Sequence, residues 1–415
     1  MTVLNTRLVR HILALLACIA IFNPIVVGLF DPHPPLDDVE LFLIALVDVI
    51  ALIVVVLSYF FGTRLVLINF AVVLVTLVLI DLLLRALYPR FDHQAFLRTT
   101  PQPYQDAAYF SPELLDEMAD LSGNHYMAAD SNKVYLKDFE GRWYNVVDGH
   151  RKTVDQPENA QRKIYLFGGS TVFNIEVPDE YTIASQLQKM VNRVTDSTAV
   201  INMGVTSIDS GQQLSRLVED IRLQPQDIVL FYDGVNDVMQ RVVYENQDGY
   251  MIGRPKEEPF LPRLLRKLAG ELAIFRVALN QAERDKAIDP EVINSATDAY
   301  LSVLNTAQAF SLDSGATFYH FLQPTIYTKR ETNTYENSIL DRDATSGSQL
   351  VKSAYEQTYP VFQSALSNVP FSTDLTAAFD GLDPSPYLDF CHINHVGNRV
   401  IAESIFQTIS GEFSN

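Results

Sequence analysis

Three long apolar stretches dominate the start of the chain, at residues 8–30, 39–61 and 65–88. A helix needs about 20 apolar residues to cross the ~30 Å hydrocarbon core of a bilayer, and each stretch is long enough. Buried core helices of soluble domains rarely contain such runs of Leu, Ile and Val, and the apolar region of a cleaved signal peptide is shorter. The pattern therefore predicts a transmembrane anchor of three helices over residues 1–90, with residues 8–88 in contact with the lipid bilayer.

The charged residues beside these stretches predict the orientation of the anchor. Arg7 and Arg10 precede the first stretch, Arg64 lies in the short loop before the third, and the loop at residues 31–38 is acidic and rich in proline. Positive residues favour the cytoplasmic side, which places the N-terminus and the second loop there. We therefore expect a multi-pass protein of the cell (inner) membrane, with residues 91–415 on the extracytoplasmic side.

The pattern changes twice after the anchor. Residues 91–160 are polar with scattered tyrosines, and we interpret them as an irregular extracytoplasmic arm that packs on the domain after it. From residue 163 short apolar runs alternate with segments of helical spacing. The runs lie at residues 164–167, 199–203, 228–232 and 317–322, and the helical segments at 181–194, 209–222, 291–311, 349–366 and 396–409.

Short buried strands that alternate with helices are typical of an α/β domain, in which helices cover both faces of a parallel sheet. We expect this domain over residues 161–415, with an insertion at about 238–315. The first part of the insertion is a candidate lid or substrate wall. Active groups in such sheets gather at the carboxyl ends of the strands, which is where the polar motifs of this sequence lie.

Charge and cysteine content exclude several classes of function. The chain carries a net charge of −19, nearly all of it after residue 90. Phosphates would be repelled, so we expect no nucleic-acid partner. Two cysteines far apart in the sequence exclude a disulfide framework or a cysteine zinc site.

Small and polar residues follow three of the predicted strands. The first strand ends in Gly-Gly-Ser at residues 168–170, the second is followed by Gly204, and the third by Gly-Val-Asn-Asp at residues 234–237. Glycines allow a sharp turn that exposes Ser170 at a helix N-terminus, and Asn236 can donate its amide into a shared cleft. Taken singly, each motif is also compatible with a phosphate-binding or structural turn, or with an Asx-turn.

A fourth motif lies near the C-terminus, where Asp389 precedes His392 by three residues. A serine hydroxyl is a poor nucleophile until a base removes its proton, and His392 can be that base. Asp389 can fix the tautomer of the ring and stabilise its charged form. His395 competes for the role of base, but the compact spacing from Asp389 favours His392. An isolated Asp-x-x-His is more often a surface turn or a coincidental metal-ligand pattern.

In the order Gly-Gly-Ser, Gly, Gly-x-Asn-Asp and Asp-x-x-His, the four motifs resemble the SGNH (GDSL-type) hydrolase superfamily. Upstream of them, the segment Asn-Val-Val-Asp-Gly-His-Arg-Lys-Thr at residues 145–153 resembles the membrane-anchored bacterial members. The resemblance covers residues 163 to 410. It implies a three-layer, flavodoxin-like parallel sheet and a serine hydrolase that acts on ester bonds. We expect neither a cofactor nor a metal.

The resemblance also implies roles for individual residues. Ser170 would be the nucleophile, His392 the base and Asp389 its orienting partner. The oxyanion hole would consist of the Ser170 and Gly204 N–H groups and the Asn236 side chain. The chain departs from the family pattern before the serine, where Gly169 stands and many members have Asp.

One further residue is a candidate for substrate binding. Gln323 follows the fourth predicted strand and precedes Pro324, so its side chain is expected to face the cleft. The alternative is that it only satisfies backbone groups beside the proline.

Three functions remain open on the sequence. The first is a membrane-anchored serine esterase that hydrolyses O-acyl, in particular O-acetyl, esters on cell-envelope glycans through an acyl-enzyme on Ser170. The second is an O-acyltransferase that modifies an exported polysaccharide and requires a partner membrane protein. The third is a non-catalytic envelope assembly protein with the same fold. For the first, the ordinary pKa of histidine predicts a rate that rises with pH through a midpoint near ~6.5.

Overall fold

The computed structural model divides the chain into two compact units, one of residues 1–90 and 258–281 and the other of residues 91–257 and 282–415. Residues 38–87, 93–124, 126–130, 133–243, 264, 268, 272–273, 288–345 and 349–413 are described. All four motifs with candidate chemistry fall in the second unit.

The described part of the first unit contains two long helices, α1 (Asp38–Phe61) and α2 (Thr63–Leu87). Gly62 joins them with a φ of 89°, a conformation that glycine adopts without strain. On α2, Arg85 pairs with Asp81 at 2.6 Å, one helical turn away. The N–H of Ala273 donates to the other oxygen of Asp81 at 2.6 Å, so Ala273 contacts α2 within this unit.

Among the described residues, one helix is long and apolar enough to be a candidate membrane span, namely α2. In α1 the candidate apolar portion is the shorter Leu52–Phe61. The first predicted span, residues 8–30, lies outside the described residues. The described chain therefore holds one candidate span where the sequence predicts three, and the three-helix anchor and its orientation stay predictions.

The second unit is built on an eight-stranded sheet in the order β10-β9-β8-β6-β7-β5-β4-β3, beside a separate two-stranded sheet, β1-β2. The strands are β1 (Tyr126–Asp130), β2 (Lys133–Leu136), β3 (Phe139–Glu140), β4 (Asn145–Val147), β5 (His150–Arg151), β6 (Arg162–Gly168), β7 (Thr198–Asn202), β8 (Ile228–Asp233), β9 (Thr317–Leu322) and β10 (Ser372–Asp374). The strands from β6 to β10 pair in parallel. Their order is the flavodoxin-like 2-1-3-4-5, as the sequence predicts.

The described residues of the second unit also form ten α-helices. They are α3 (His93–Leu97), α4 (Pro112–Asn124), α5 (Ser170–Phe173), α6 (Ile183–Val191), α7 (Ser210–Asp220), α8 (Val235–Val238), α9 (Pro290–Asp313), α10 (Thr334–Thr345), α11 (Gln349–Leu366) and α12 (His395–Ile409). The five segments of predicted helical spacing correspond to α6, α7, α9, α11 and α12. Because α9 connects β8 to β9, part of the insertion expected at 238–315 is a crossover helix of the sheet.

Side chains of the central strands enter two cores on opposite faces of the sheet. Alternate residues of a strand point to opposite faces, so a strand covered on both sides is apolar throughout. One core receives Tyr165, Phe167, Val229 and Phe231, and the other receives Ile164, Leu166, Ile228 and Leu230. This burial explains why β6 and β8 contain unbroken runs of apolar residues.

The arm of residues 91–160 is more regular than the sequence predicts. Its strands β3, β4 and β5 pair antiparallel with one another, and Arg151 of β5 pairs with Asn202 of β7. The prediction of an irregular arm is wrong because this edge of the parallel sheet offers unpaired backbone groups, which the short strands satisfy. A third core, which contains Leu97, Tyr104 and Leu114, packs the arm against the domain.

Arg151 is the main polar contact between the arm and the loop after α5. Its side chain is fully buried and binds Asp179 at 2.7 Å. The guanidinium also donates to the carbonyl oxygens of Phe173 and Asn174 at 3.3 Å and of Val177 at 2.9 Å. The planar guanidinium, with five donors, thereby fixes the backbone of the loop at three points.

We expect the substitution Arg151→Met to lower the free energy of unfolding by about 3–5 kcal/mol, because it leaves the Asp179 carboxylate buried without its charged partner. Trp143 is the only tryptophan and lies in the same unit. Its fluorescence during urea denaturation of the full chain in detergent measures the change. The exposed Arg193→Met is the matched control, with an expected change within about 0.5 kcal/mol. Equal stability of the two variants would contradict the role given to Arg151.

Candidate active site

Ser170 lies where β6 ends and α5 begins. The chain turns sharply after Gly168, and the N–H groups of Val172 and Phe173 both donate to the Gly169 carbonyl at 3.1 Å. Ser170 itself is half-buried. Its hydroxyl is therefore at the carboxyl edge of the sheet, as the sequence predicts.

The hydroxyl of Ser170 contacts the ring of His392 although 222 positions separate them. Ser170 Oγ lies 2.8 Å from His392 Nε2. On the other side of the ring, His392 Nδ1 lies 2.6 Å from Asp389 Oδ2. The structure thus brings together the three residues for which the sequence suggests nucleophile, base and orienting carboxylate.

The turn that carries Asp389 and His392 is closed by its own backbone. Tyr387 and Ile393 form an antiparallel bridge, and the N–H of Leu388 donates to the His392 carbonyl at 2.8 Å. Inside the turn, Asp389 Oδ1 accepts the N–H groups of Cys391 at 2.9 Å and of His392 at 2.7 Å. The carboxylate is therefore held in place before it meets the ring.

His395, the alternative base, is engaged elsewhere. It is the first residue of α12, and its Nδ1 lies 3.0 Å from the hydroxyl of Tyr109. Its ring packs edge-on against Tyr109 and Tyr181. The structure therefore gives His392, and not His395, the contact with Ser170.

Asn236 lies directly against the backbone before the nucleophile. A Cβ on Gly169 would come within 2.1 Å of Asn236 Nδ2. One hydrogen of that amide donates to the Ile208 carbonyl at 2.9 Å, and an amide nitrogen carries two hydrogens. The second hydrogen is available to a ligand beside Ser170. This contact also gives a reason for glycine at 169: any side chain there displaces the Asn236 amide.

Gly204 lies just after the end of β7, as the sequence predicts. Its N–H donates to Asn202 Oδ1 at 2.9 Å, so this donor already has a partner within the protein. A Cβ on Gly204 would lie 2.3 Å from the backbone nitrogen of Phe173. The structure therefore explains this glycine by close packing of the β7 end against α5.

The loop after Gly204 holds the Asn236 side chain through a hydrogen bond. Ser207 adopts a left-handed φ of 65°, which is uncommon for a residue with a side chain. Next to it, the Ile208 carbonyl accepts a hydrogen bond from the Asn236 side-chain amide.

Asp237, which follows Asn236, is fully buried and accepts hydrogen bonds from the Ser210 hydroxyl at 2.5 Å and from Arg241 Nε at 3.2 Å. Burial and then the charge of Asp233 raise the pKa of Asp237 to about 7.

Gln323 is at the carboxyl end of β9, as predicted, but it is only 2% exposed. Its Oε1 accepts the Thr171 hydroxyl at 3.4 Å, and its backbone N–H donates to the Asp233 carbonyl at 2.9 Å. Its Nε2 has no hydrogen-bond partner among the described residues. Gln323 therefore contacts Thr171, the neighbour of the nucleophile, and its role in substrate binding stays a prediction.

The charges around His392 favour its protonated form. Burial lowers its pKa, but the charge of Asp389, and after it those of Cys391 and Glu176, raise it well above the ordinary value. Burial raises the pKa of Asp389, whereas the charge of His392 and three hydrogen bonds lower it below its usual range. The pair is thus an ionised carboxylate and a strengthened base.

Asp389, Cys391 and His392 have ligand atoms within 4.8 Å of one another, the one such group found among the described residues. Asp389 and His392 bind each other, however, and burial raises the pKa of the Cys391 thiol to about 12. A thiol binds metal as the thiolate, so this group does not have the chemistry of a ready metal site.

Glu176 lies near the site although it belongs to none of the four sequence motifs. Its side chain is 3% exposed, and its Oε1 lies 3.8 Å from His392 Nε2. It stands six positions after Ser170 in a loop with no motif of its own, so its proximity depends on the tertiary path of that loop.

We expect Gly169→Ala to fold and to lower kcat for an ester substrate by about 10²–10³-fold. The new Cβ displaces the end of the flexible Asn236 side chain, and removal of one oxyanion donor has an effect of this size in other enzymes. Steady-state kinetics measure the change, and Asn236→Ala is the comparison. If Asn236→Ala loses activity and Gly169→Ala keeps the wild-type kcat, the contact is not what holds the amide in place.

The midpoint of kcat/KM against pH is expected above 6.5, which corrects the value that the sequence alone predicts. A base acts in its neutral form, so activity rises with pH through the pKa of His392, and its acidic neighbours raise that pKa. Initial rates between pH 5 and 10, with the rate of Ser170→Ala subtracted, give the midpoint. A value at or below 6.5 would show that the acidic neighbours do not control this base.

No protein-family model and no curated protein matches the sequence. Among solved structures, it is similar to a member of the lipolytic protein G-D-S-L family from Veillonella parvula DSM 2008, with 11% identity, a TM-score of 0.35 and coverage of 60% of this chain and 98% of that one. It is also similar to a catalytic mutant of the acetylxylan esterase Axe2 from Geobacillus stearothermophilus, with 15% identity, a TM-score of 0.32 and coverage of 62% and 95%. A third is the psychrotrophic esterase EstA from Pseudoalteromonas sp., with 13% identity, a TM-score of 0.31 and coverage of 61% and 99%.

The fold of the second unit has the parallel strands and the flavodoxin-like order that the resemblance to SGNH hydrolases implies. At the level of the fold, that resemblance is confirmed.

Proposed function

We propose that this protein is a serine esterase that hydrolyses O-acyl esters through an acyl-enzyme on Ser170. The observation that carries the proposal is the contact of 2.8 Å between Ser170 Oγ and His392 Nε2, with Asp389 at 2.6 Å from the opposite nitrogen. A nucleophile and its base within hydrogen-bond reach, with the base oriented by a third group, is the arrangement that nucleophilic catalysis requires. A non-catalytic assembly protein has no need of these contacts.

In the first step, His392 Nε2 takes the proton of Ser170 as Oγ forms a bond to the ester carbonyl carbon. The carbonyl electrons move to the oxygen, which becomes an oxyanion. Collapse of this intermediate breaks the bond to the leaving alkoxide, which takes the proton from Nε2. Water then attacks the acyl group by the same route, and the acid and free Ser170 are released.

The oxyanion needs donors that are in place before the reaction. The Asn236 amide, with one hydrogen fixed on Ile208, is one of them in our proposal. The Ser170 N–H at the first turn of α5 has no partner within its helix and is another. Gly204 was the third candidate, but its N–H has a partner in Asn202, so we leave it out.

The substrate class that we propose is O-acetyl groups on cell-envelope glycans. It follows from the predicted position of the domain outside the cytoplasm and from the resemblance to SGNH hydrolases. Because a sugar hydroxyl can replace water in the second step, an O-acyltransferase with a membrane partner protein is the alternative.

We expect Ser170→Ala to lower hydrolysis of a chromogenic acetyl ester by on the order of 10⁴–10⁶-fold, because the acyl-enzyme cannot form. The exposed Ser364→Ala is the matched control and should keep the wild-type rate. Release of acetate from an acetylated polysaccharide, with and without an acceptor glycan, distinguishes hydrolysis from transfer. Equal rates for Ser170→Ala and wild type would exclude Ser170 as nucleophile.

A further inference from the structure

Glu176 is a buried acidic residue at the reactive face of His392. Its Oε1 lies 3.8 Å from Nε2, the nitrogen that contacts Ser170, and its Oε2 has no hydrogen-bond partner among the described residues. A buried carboxyl oxygen that has no hydrogen-bond partner lowers the stability of a protein. A functional role would explain why a buried carboxyl lies beside His392.

Contacts with the backbone of its loop hold Glu176 in this position. Asn174 ends α5 with a left-handed φ of 56°, which directs the chain into the loop. The hydroxyl of Tyr104 donates to the Glu176 carbonyl at 2.7 Å, and Arg151 binds the carbonyls on either side of it. The arm thus fixes where the carboxyl lies.

We propose that Glu176 is a positioning residue that strengthens His392 as a base by stabilising the positive charge that forms on its ring. This inference rests on the proposed function, since it requires His392 to accept the Ser170 proton. When the Ser170 O–H bond breaks and the Nε2–H bond forms, the new charge lies between two carboxylates. Asp389 is at Nδ1 and Glu176 is near Nε2.

The ionisable groups that face Glu176 come from the C-terminal turn and from the arm. They are His392, Asp389 and Cys391, together with Arg151, Tyr104 and Tyr144. Burial raises the pKa of Glu176, whereas the charge of His392 lowers it. The carboxyl is therefore most readily ionised when the ring is charged, so the attraction is greatest after proton transfer. An interaction that strengthens toward the transition state accelerates the reaction.

Glu176→Gln keeps the shape of the side chain and removes its charge, so it tests the proposal directly. We expect the pH midpoint of kcat/KM to fall by on the order of one unit, and the rate on the plateau to fall roughly tenfold. A fluorophosphonate probe, whose labelling rate depends on Ser170 and not on the natural substrate, should show the same shift. Glu180→Gln removes an equal charge from an exposed position nearby and should keep the wild-type midpoint.

A Glu176→Gln variant with the wild-type pH midpoint and plateau rate would overturn this inference. The proposed function would still stand in that case, provided that the probe labels the protein and that labelling requires Ser170. Absence of both labelling and hydrolysis in the wild type would instead refute the proposed function. If Trp143 fluorescence shows that Glu176→Gln is unfolded, Glu176→Asp replaces it. That variant keeps the charge but withdraws it by one methylene, so its midpoint should fall part of the way, and an unchanged midpoint would overturn the inference.

Discussion

The contact between Ser170 Oγ and His392 Nε2 joins the first strand of the parallel sheet to the last turn before the C-terminal helix. A pair so far apart in the chain is brought together only when the strands between them have formed in their correct order. The carboxyl ends of parallel strands lie at one edge of the sheet, so the polar turns that follow them meet there. The sheet order is thus the constraint on which the site depends.

The second constraint comes from outside the parallel strands. The arm adds Arg151, whose buried guanidinium holds three carbonyls and Asp179 of the loop that follows the nucleophile. A loop with so many backbone groups turned to one point depends on a planar, permanently charged donor, and lysine has neither the shape nor the number of donors. The arm is therefore part of the site, beyond its expected role of connecting the domain to the predicted anchor.

The sequence predicts much of this because periodicity and strand-end motifs are local signals. The strands at 164–167 and 228–232, and the Asp389–His392 spacing, follow from neighbouring residues alone. Glu176 could not be predicted, since its approach to His392 depends on the tertiary path of its loop, and His392 is remote in sequence. The partner of the Gly204 N–H could not be predicted for a similar reason: a glycine after a strand does not reveal that the Asn202 side chain binds its own loop.

The two carboxylates near His392 differ in what surrounds them, and this difference has a chemical consequence. Asp389 accepts two backbone N–H groups and the ring, so it stays charged through the reaction. Glu176 has an unpartnered oxygen in a buried site, so its charge depends on that of the ring. A base made stronger by both takes the serine proton more readily, but a smaller fraction of it is neutral at a given pH. Catalysis is therefore favoured at alkaline pH, where the ring is neutral and Asp389 is still charged.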